Sequence, residues 1–170
     1  MADTFTLYKL IILYLLDKVN FPMSNAQLSE FILEKEYTDY FTVQTALSEL
    51  SETGFLRVKT VRNTSLYRIT DEGRKTLSYF IQKISPAIRE EIDSFLQEHS
   101  YELRNEISTP ADYYKTDSGE FAARCRVLEK DSVLIDLTLT VPVKEQAEAI
   151  CSHWRDKSQS LYASIMKELL

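Results

Sequence analysis

The stretch LSELSETGFLRVKTVRNTSLYRITDEGRKTL (Leu47–Leu77) combines a helix end, two short alternating segments and a helix start. Gly54 follows the last apolar residue of a helical repeat, where glycine commonly ends a helix. Thr70, with Asp71 and Glu72 after it, can cap the next helix. The segments in between alternate apolar with charged or polar residues, as half-buried strands do. The stretch therefore predicts a helix, a β-hairpin and a second helix.

The alternation also predicts how the hairpin pairs. If Val61 pairs with Leu66 across a four-residue loop, Lys59 lies directly opposite Arg68, with Arg57 beside them. A register shifted by one residue would mix charged and apolar side chains on both faces. We therefore expect a hairpin with one apolar face and one cationic face.

The charge of this hairpin is opposite to that of the whole chain. The protein has 20 Lys and Arg against 26 Asp and Glu, yet residues 57–70 contain four cations and no acid. A phosphate backbone near the hairpin would relieve the repulsion between these cations and release counterions. The alternative is that surface cations keep an exposed hairpin soluble and protect its edge.

The flanking sequence predicts further helices. A nearly all-apolar helix, capped by Asp3 or Thr4, ends near Lys18, and a capping box at Ser24–Gln27 opens a short helix. A third helix, capped by Thr38 or Asp39, extends to about Thr53, and a fifth extends from Pro86 to about Glu106.

After this fifth helix the sequence changes to a strand pattern. Alternation from Phe121 and from Val133 predicts two antiparallel strands, with Glu129 opposite Val133 and Arg126 opposite Asp136. We expect a third strand at residues 109–115 and a last helix from about Pro142. The fold class is therefore α+β: three helices, a hairpin and a closing helix, then a linking helix and a small antiparallel sheet packed by the long C-terminal helix. The expected domains are residues 1–84 and 85–170.

The first half resembles bacterial winged-helix regulators of the PadR-like and MarR-like kind. The resemblance lies in the Leu47–Arg57 segment and in the Y-R-I-T-D-E-G element at Tyr67–Gly73. The whole chain, with I-x-x-x-A-D-Y-Y (Ile107–Tyr114) and Q-A-x-A-I-C-x-x-W-R (Gln146–Arg155), resembles a small bacterial family of unknown function. Members of that family are usually labelled transcriptional regulators.

The resemblance implies a DNA-binding transcriptional regulator acting on double-stranded DNA. In a winged helix, the third helix enters the major groove and the hairpin, or wing, contacts the backbone. The candidate base-reading residues are Thr42, Gln44, Thr45 and Ser48. The candidate backbone contacts are Arg57, Lys59, Arg62 and Arg68. Residues 39–53 contain no Lys or Arg but do contain Glu49 and Glu52, which keeps a second hypothesis open: a winged-helix module that binds another protein.

A homodimer is expected, because major-groove readers commonly pair two half-sites. The first helix is apolar around its circumference, and one small domain covers only one side of such a helix. The candidate interface residues are Tyr8, Ile11, Leu15, Trp154, Leu161 and Tyr162. The alternative places the same residues inside a single monomer.

Other functional classes receive less support from the sequence. Glycine occurs only at positions 54, 73 and 119, so the usual phosphate-binding loops are excluded. His99 and His153 lack the spacing of a zinc site, and we expect neither an enzyme nor a cofactor. Cys125 and Cys151 are expected to be buried inert thiols, or a redox pair if they meet, in a cytoplasmic protein without membrane spans. Tyr113, Tyr114 and Trp154 are core residues or the lining of a pocket for an unidentified small-molecule effector.

Overall fold

The computed structural model describes residues 3–61, 64–129 and 132–170. The chain divides into two compact units, Met1–Arg104 and Asn105–Leu170. Both contain helices and a small antiparallel sheet, which confirms the α+β class.

Six α-helices and six strands make up the described chain. In order they are α1 (Thr4–Lys18), β1 (Met23–Ser24), α2 (Asn25–Glu34), α3 (Tyr40–Glu52), β2 (Leu56–Val61), β3 (Thr64–Ile69), α4 (Asp71–Phe80), α5 (Pro86–Ser108), β4 (Ala111–Lys115), β5 (Phe121–Glu129), β6 (Ser132–Val141) and α6 (Lys144–Leu169), with a 3-10 turn at Ile81–Lys83.

The predicted helix starts are present in the structure. The Asp3 carboxylate accepts a hydrogen bond from the backbone N–H of Phe5, and Asp39 caps α3 in the same way. Ser24 and Gln27 form the reciprocal capping box at the start of α2. These bonds satisfy backbone donors that the first turn of a helix leaves free.

The apolar helix α1 lies at the centre of the N-terminal unit. All seven residues from Leu10 to Leu16 are buried. The helix packs against α3, α4 and β3, and the Tyr14 hydroxyl donates a 2.9 Å hydrogen bond to the Asp93 carboxylate on α5. Burial, followed by that hydrogen bond, raises the pKa of Tyr14 to about 12. The helix is thus covered by elements of its own chain, α5 among them.

The hairpin pairs in a register two residues away from the predicted one. Arg57 lies opposite Arg68, and Lys59 lies opposite Leu66, so the predicted Lys59–Arg68 pair is wrong. A shift of two residues keeps every side chain on its predicted face, because the side-chain period of a strand is two. Only residues 62 and 63 lie between the strands, and both are outside the described residues.

A third strand completes this sheet and was missed by the sequence analysis. Met23 pairs with Tyr67 and Ser24 with Leu66, which gives the strand order β1-β3-β2. Two residues are too few to show an alternating pattern.

The base of the hairpin is fixed by Thr70. Its backbone N–H donates to Phe55 O over 3.1 Å, and its hydroxyl donates to Gly54 O over 2.7 Å. The same hydroxyl accepts a hydrogen bond from the N–H of Gly73. Gly54 has φ +82°, a conformation that suits glycine. We refer to these contacts as the Thr70 clamp. They explain why the T-D-E-G sequence follows the hairpin.

The C-terminal unit is a three-stranded sheet, ordered β4-β5-β6, packed by α6. Arg126 lies opposite Asp136 as predicted, whereas Glu129 pairs with Ser132 rather than Val133. A bulge at Val127/Leu128 accounts for this one-residue difference. The Arg124 guanidinium makes a two-bond contact of 3.0 and 2.7 Å with the Asp136 carboxylate.

The boundary between the units lies within α5. Ile92 and Leu96 of this helix are buried in the N-terminal core, so most of α5 belongs to the first unit. The boundary predicted from the sequence, after residue 84, lies just before the start of this helix. Among the helices described, none is long and apolar enough to cross a membrane.

The close approach at Gly73 makes a testable prediction. A Cβ at this position would lie 2.3 Å from Phe55 O and 2.9 Å from a side-chain carbon of Ile69. Gly73→Ala should lower the free energy of unfolding by about 1–3 kcal/mol, because overpacking outweighs the helix preference for alanine. Lys75→Ala, at an exposed position of the same helix, should change it by less than about 0.5 kcal/mol. Urea denaturation measures both, and a Gly73→Ala protein as stable as wild type would contradict the clamp geometry.

Candidate nucleic-acid interface

The cationic face of the hairpin carries three exposed side chains in the described chain. Arg57 and Arg68 are directly opposed on neighbouring strands, and Lys59 lies on the same face of β2. Among described residues, none provides a hydrogen-bond or ion-pair partner for these three side chains. Like charges directly across a pair of strands repel each other. The hairpin therefore presents positive charge that the described part of the protein does not neutralise. Arg62, the fourth predicted contact, lies outside the described residues.

Two other cations of the N-terminal unit are paired with acids. Arg74 on α4 lies 3.2 Å from Asp17 and 3.2 Å from Asp71. Lys9 on α1 lies 2.6 Å from Glu49 on α3. Arg57, Lys59 and Arg68 differ from Arg74 and Lys9 because they lie together on one face without an acidic partner among the described residues.

The exposed stripe of α3 consists of Phe41, Thr45, Ser48 and Glu52, which recur at helical spacing. Phe41 is 80% exposed, and the neighbouring Tyr40 is 50% exposed. Their rings pack edge to face with centroids 6.0 Å apart. The Thr45 hydroxyl donates to Phe41 O over 2.9 Å. The stripe offers an aromatic ring at the start of the helix and small polar side chains along it.

Gln44 is not part of this stripe. Its amide nitrogen donates to Asn25 Oδ1 over 2.8 Å and to Ser29 Oγ over 3.0 Å, while its oxygen accepts from the Asn25 amide over 2.7 Å. Asn25 also reaches the Tyr67 hydroxyl on β3, over 3.4 Å. The half-buried Gln44 amide therefore joins α3 to α2. Its assignment as a base-reading residue needs correction, because both amide hydrogens and one acceptor position of the oxygen are already used within the protein.

Thr42 is half-buried at the first turn of α3. Its backbone N–H donates a 2.8 Å hydrogen bond to the Asp39 carboxylate, and this hydrogen bond lowers the pKa of Asp39. Of the four predicted base-reading residues, Thr45 and Ser48 are the two that the structure exposes. Phe41 was not among the four predicted base-reading residues, yet it is exposed on the same stripe as Thr45 and Ser48.

The repulsion of phosphate expected from Glu49 and Glu52 of α3 is also reduced. Glu49 is paired with Lys9 and so carries less repulsion toward phosphate. Glu52 remains exposed at the C-terminal end of the helix.

The candidate dimer residues separate into core and surface. Ile11 and Leu15 are at most 1% exposed in the N-terminal core. Trp154 is buried, and its indole N–H donates a 2.8 Å hydrogen bond to the backbone oxygen of Arg126. These three side chains are used within one chain, as the monomer alternative expected, and are not available as interface anchors. Tyr8 and Tyr162 are half-buried, and Leu161 is exposed.

The cysteines and histidines form no metal-binding cluster among the described residues. Cys125 and Cys151 are both free thiols. Burial raises the pKa of Cys125 to about 11, with Cys151 and Asp112 as further causes, and burial also raises the pKa of Cys151. Such thiols are poor nucleophiles at neutral pH. His99 stacks at a tilt on Phe95, with centroids 4.9 Å apart.

Two of the three aromatic residues that the sequence suggested as a pocket lining are used in packing. The Tyr113 hydroxyl donates a 3.0 Å hydrogen bond to the Glu148 carboxylate on α6, while Tyr114 is exposed. Together with the buried Trp154, this places two of the three in the packing of α6 on the sheet. An effector site at these residues stays a prediction.

Comparison with family models identifies the chain's family. Residues 8–169 match the family described as a domain of unknown function, DUF4364. The match extends over both units, and the protein belongs to this family. Comparison with curated proteins and with solved structures found no match.

The Asn25–Gln44 pair makes a second prediction. Asn25→Ala and Gln44→Ala should each destabilise the fold, and a double-mutant cycle should give a coupling energy of about 0.5–3 kcal/mol. Thr45→Ala, exposed on the same helix, should be close to neutral. Additive effects of the two substitutions, measured by urea denaturation, would show that Gln44 does not join the helices.

Proposed function

We propose that the N-terminal unit is a winged-helix domain that binds double-stranded DNA, and that the protein is a transcriptional regulator. The order α1-β1-α2-α3-β2-β3-α4 and the sheet order β1-β3-β2 support the winged-helix assignment. The Asn25–Gln44 bonds support it further, because they hold α2 and α3 together as a helix-turn-helix pair requires.

The observation that carries the proposal is the unneutralised charge of the hairpin. The protein keeps Arg57, Lys59 and Arg68 exposed on one face while the chain as a whole is acidic. The repulsion between the opposed arginines costs stability that no described partner recovers. Phosphate oxygens would supply the missing partners, and binding would release counterions from the DNA.

The two elements would have different roles. Phosphate contacts position a protein on the duplex without reading sequence, and contacts to base edges supply specificity. The hairpin has the charge for the first role. The exposed stripe of α3 has side chains for the second, and it has no cation of its own.

A second candidate function is favoured by the exposed Phe41 and Tyr40. An aromatic pair of this kind can anchor a protein partner, since aromatic residues dominate interface energetics. In that case the unit would be a winged-helix interaction module without direct DNA binding. Loss of a protein complex, rather than of DNA binding, on changing Phe41 would identify it.

A DNA-bound regulator would act in the cytoplasm, and two free thiols agree with a reducing compartment. A homodimer remains part of the proposal, with its interface moved to the C-terminal end of α6. Ser158 is the last buried residue of that helix, and beyond it an apolar stripe is exposed or half-buried. The members of this stripe are Leu161, Tyr162, Ile165 and Met166.

The hairpin proposal predicts a specific salt dependence. Lys59→Ala with Arg68→Ala should weaken binding to all duplexes about equally, because phosphate contacts carry no sequence information. The slope of log affinity against log salt should become shallower by about one unit per lost contact. Fluorescence anisotropy with labelled duplex at several salt concentrations measures both.

A charge-matched variant is the control for this experiment. Lys157→Ala with Lys167→Ala removes the same charge from exposed positions of α6 and should leave the slope unchanged. Equal effects of the two double variants would show that net charge, and not the hairpin, governs binding.

The dimer proposal is tested separately. Light scattering at micromolar concentration should give twice the monomer mass of 19.8 kDa. Leu161→Glu should then give folded monomers, because a charge in an apolar interface opposes association. The exposed Leu139→Glu on β6 is a matched control. A monomeric wild-type protein would contradict the homodimer.

A further inference from the structure

Phe41 is an unusual residue for a highly exposed position of a helix. Its side chain is 80% exposed, although Val43, Ala46 and Leu47 on the opposite side of the same helix are buried. Leaving a phenylalanine in water forgoes the free energy that burial of its ring would provide. The edge-to-face contact with Tyr40 supports the ring on one side only.

The rest of α3 shows which bases the helix does not read. Guanine is normally read by Arg or Lys, and residues 39–53 contain neither. Adenine is normally read by an Asn or Gln amide, and the amide of Gln44 is bonded to Asn25 and Ser29. Cytosine can be read by a carboxylate, but Glu49 is paired with Lys9, and the exposed Glu52 is the last residue of α3, away from the N-terminal residues that contact base edges in a helix-turn-helix.

The N-terminal part of the exposed stripe fits thymine. The Phe41 ring and the Thr45 methyl are apolar, and the Thr45 hydroxyl is directed to its own helix at Phe41 O. The C5-methyl of thymine is the one apolar group on base edges in the major groove, and aromatic rings and threonine methyls contact it. We propose that Phe41, with Thr45 beside it, recognises thymine methyl groups, so that the protein selects A·T-containing sites. This inference rests on the proposed DNA-binding function.

Replacing thymine by uracil in the DNA tests the inference without changing the protein. Uracil keeps the Watson–Crick pair and removes only the C5-methyl. A duplex enriched by the protein from a random library is remade with each thymine replaced in turn, and affinities are measured by anisotropy. We expect about a fourfold loss for each methyl that is contacted, the value for one buried methyl-sized group.

Protein variants then assign the contact. Phe41→Ala should bind the thymine and uracil duplexes about equally, while the slope of log affinity against log salt, which the phosphate contacts of the hairpin set, stays as in the wild type. Tyr101→Ala is the matched control, since Tyr101 on α5 is 75% exposed, and it should keep the wild-type preference. A thymine preference that persists in Phe41→Ala would overturn the assignment to this residue.

The outcomes separate this inference from the proposed function. Wild-type binding that depends on the hairpin but ignores uracil substitution would overturn thymine recognition and leave DNA binding intact. Absence of binding to any duplex would overturn both, and a protein complex lost in Phe41→Ala would then assign the ring to the interaction module.

Discussion

The three hydrogen bonds of Thr70 hold together the end of α3, the base of the hairpin and the start of α4. Each depends on a different feature of the local sequence: the left-handed Gly54 ends α3, Phe55 O accepts from the backbone of Thr70, and Gly73 leaves room for that carbonyl. Because the clamp lies where the hairpin leaves the helices, it sets the direction of both strands. The cationic face is therefore joined to the helices through this clamp, and the exposed stripe of α3 belongs to the same clamped segment.

Polar contacts of a second kind connect α3 to the other side of the unit. Gln44 bonds Asn25 and Ser29 on α2, and Asn25 reaches Tyr67 on the hairpin sheet. A half-buried amide pair of this type fixes orientation, since any other placement would leave its donors unpaired. These bonds hold the N-terminal half of α3, and the Thr70 clamp holds its C-terminal end. The surface side chains of α3 can then be specialised for recognition because they are not needed for packing.

Much of the fold could be predicted from local signals, and the failures have physical causes. Caps and glycine stops depend on a few adjacent residues, so the starts of α1 to α4 and the ends of α1 and α3 followed from the sequence. The hairpin register did not, because alternation has a period of two and cannot distinguish registers two residues apart. Gln44 was misassigned because a polar residue on a helix can face solvent or pair with a neighbouring helix, and only tertiary contacts decide between them. Ile11 and Trp154 were misassigned for the converse reason: an apolar residue does not indicate whether its cover comes from its own chain.

The central claim is that the exposed stripe of α3 and the cationic hairpin face form one DNA-binding surface. The most direct measurement is a titration of the ¹⁵N-labelled protein with a short duplex, followed by amide chemical shifts. We expect the shift changes to concentrate at residues 40–48 and 57–69 and to diminish as salt is raised. Shift changes confined to residues 105–170, or none at DNA concentrations that saturate nonspecific binding, would contradict the account.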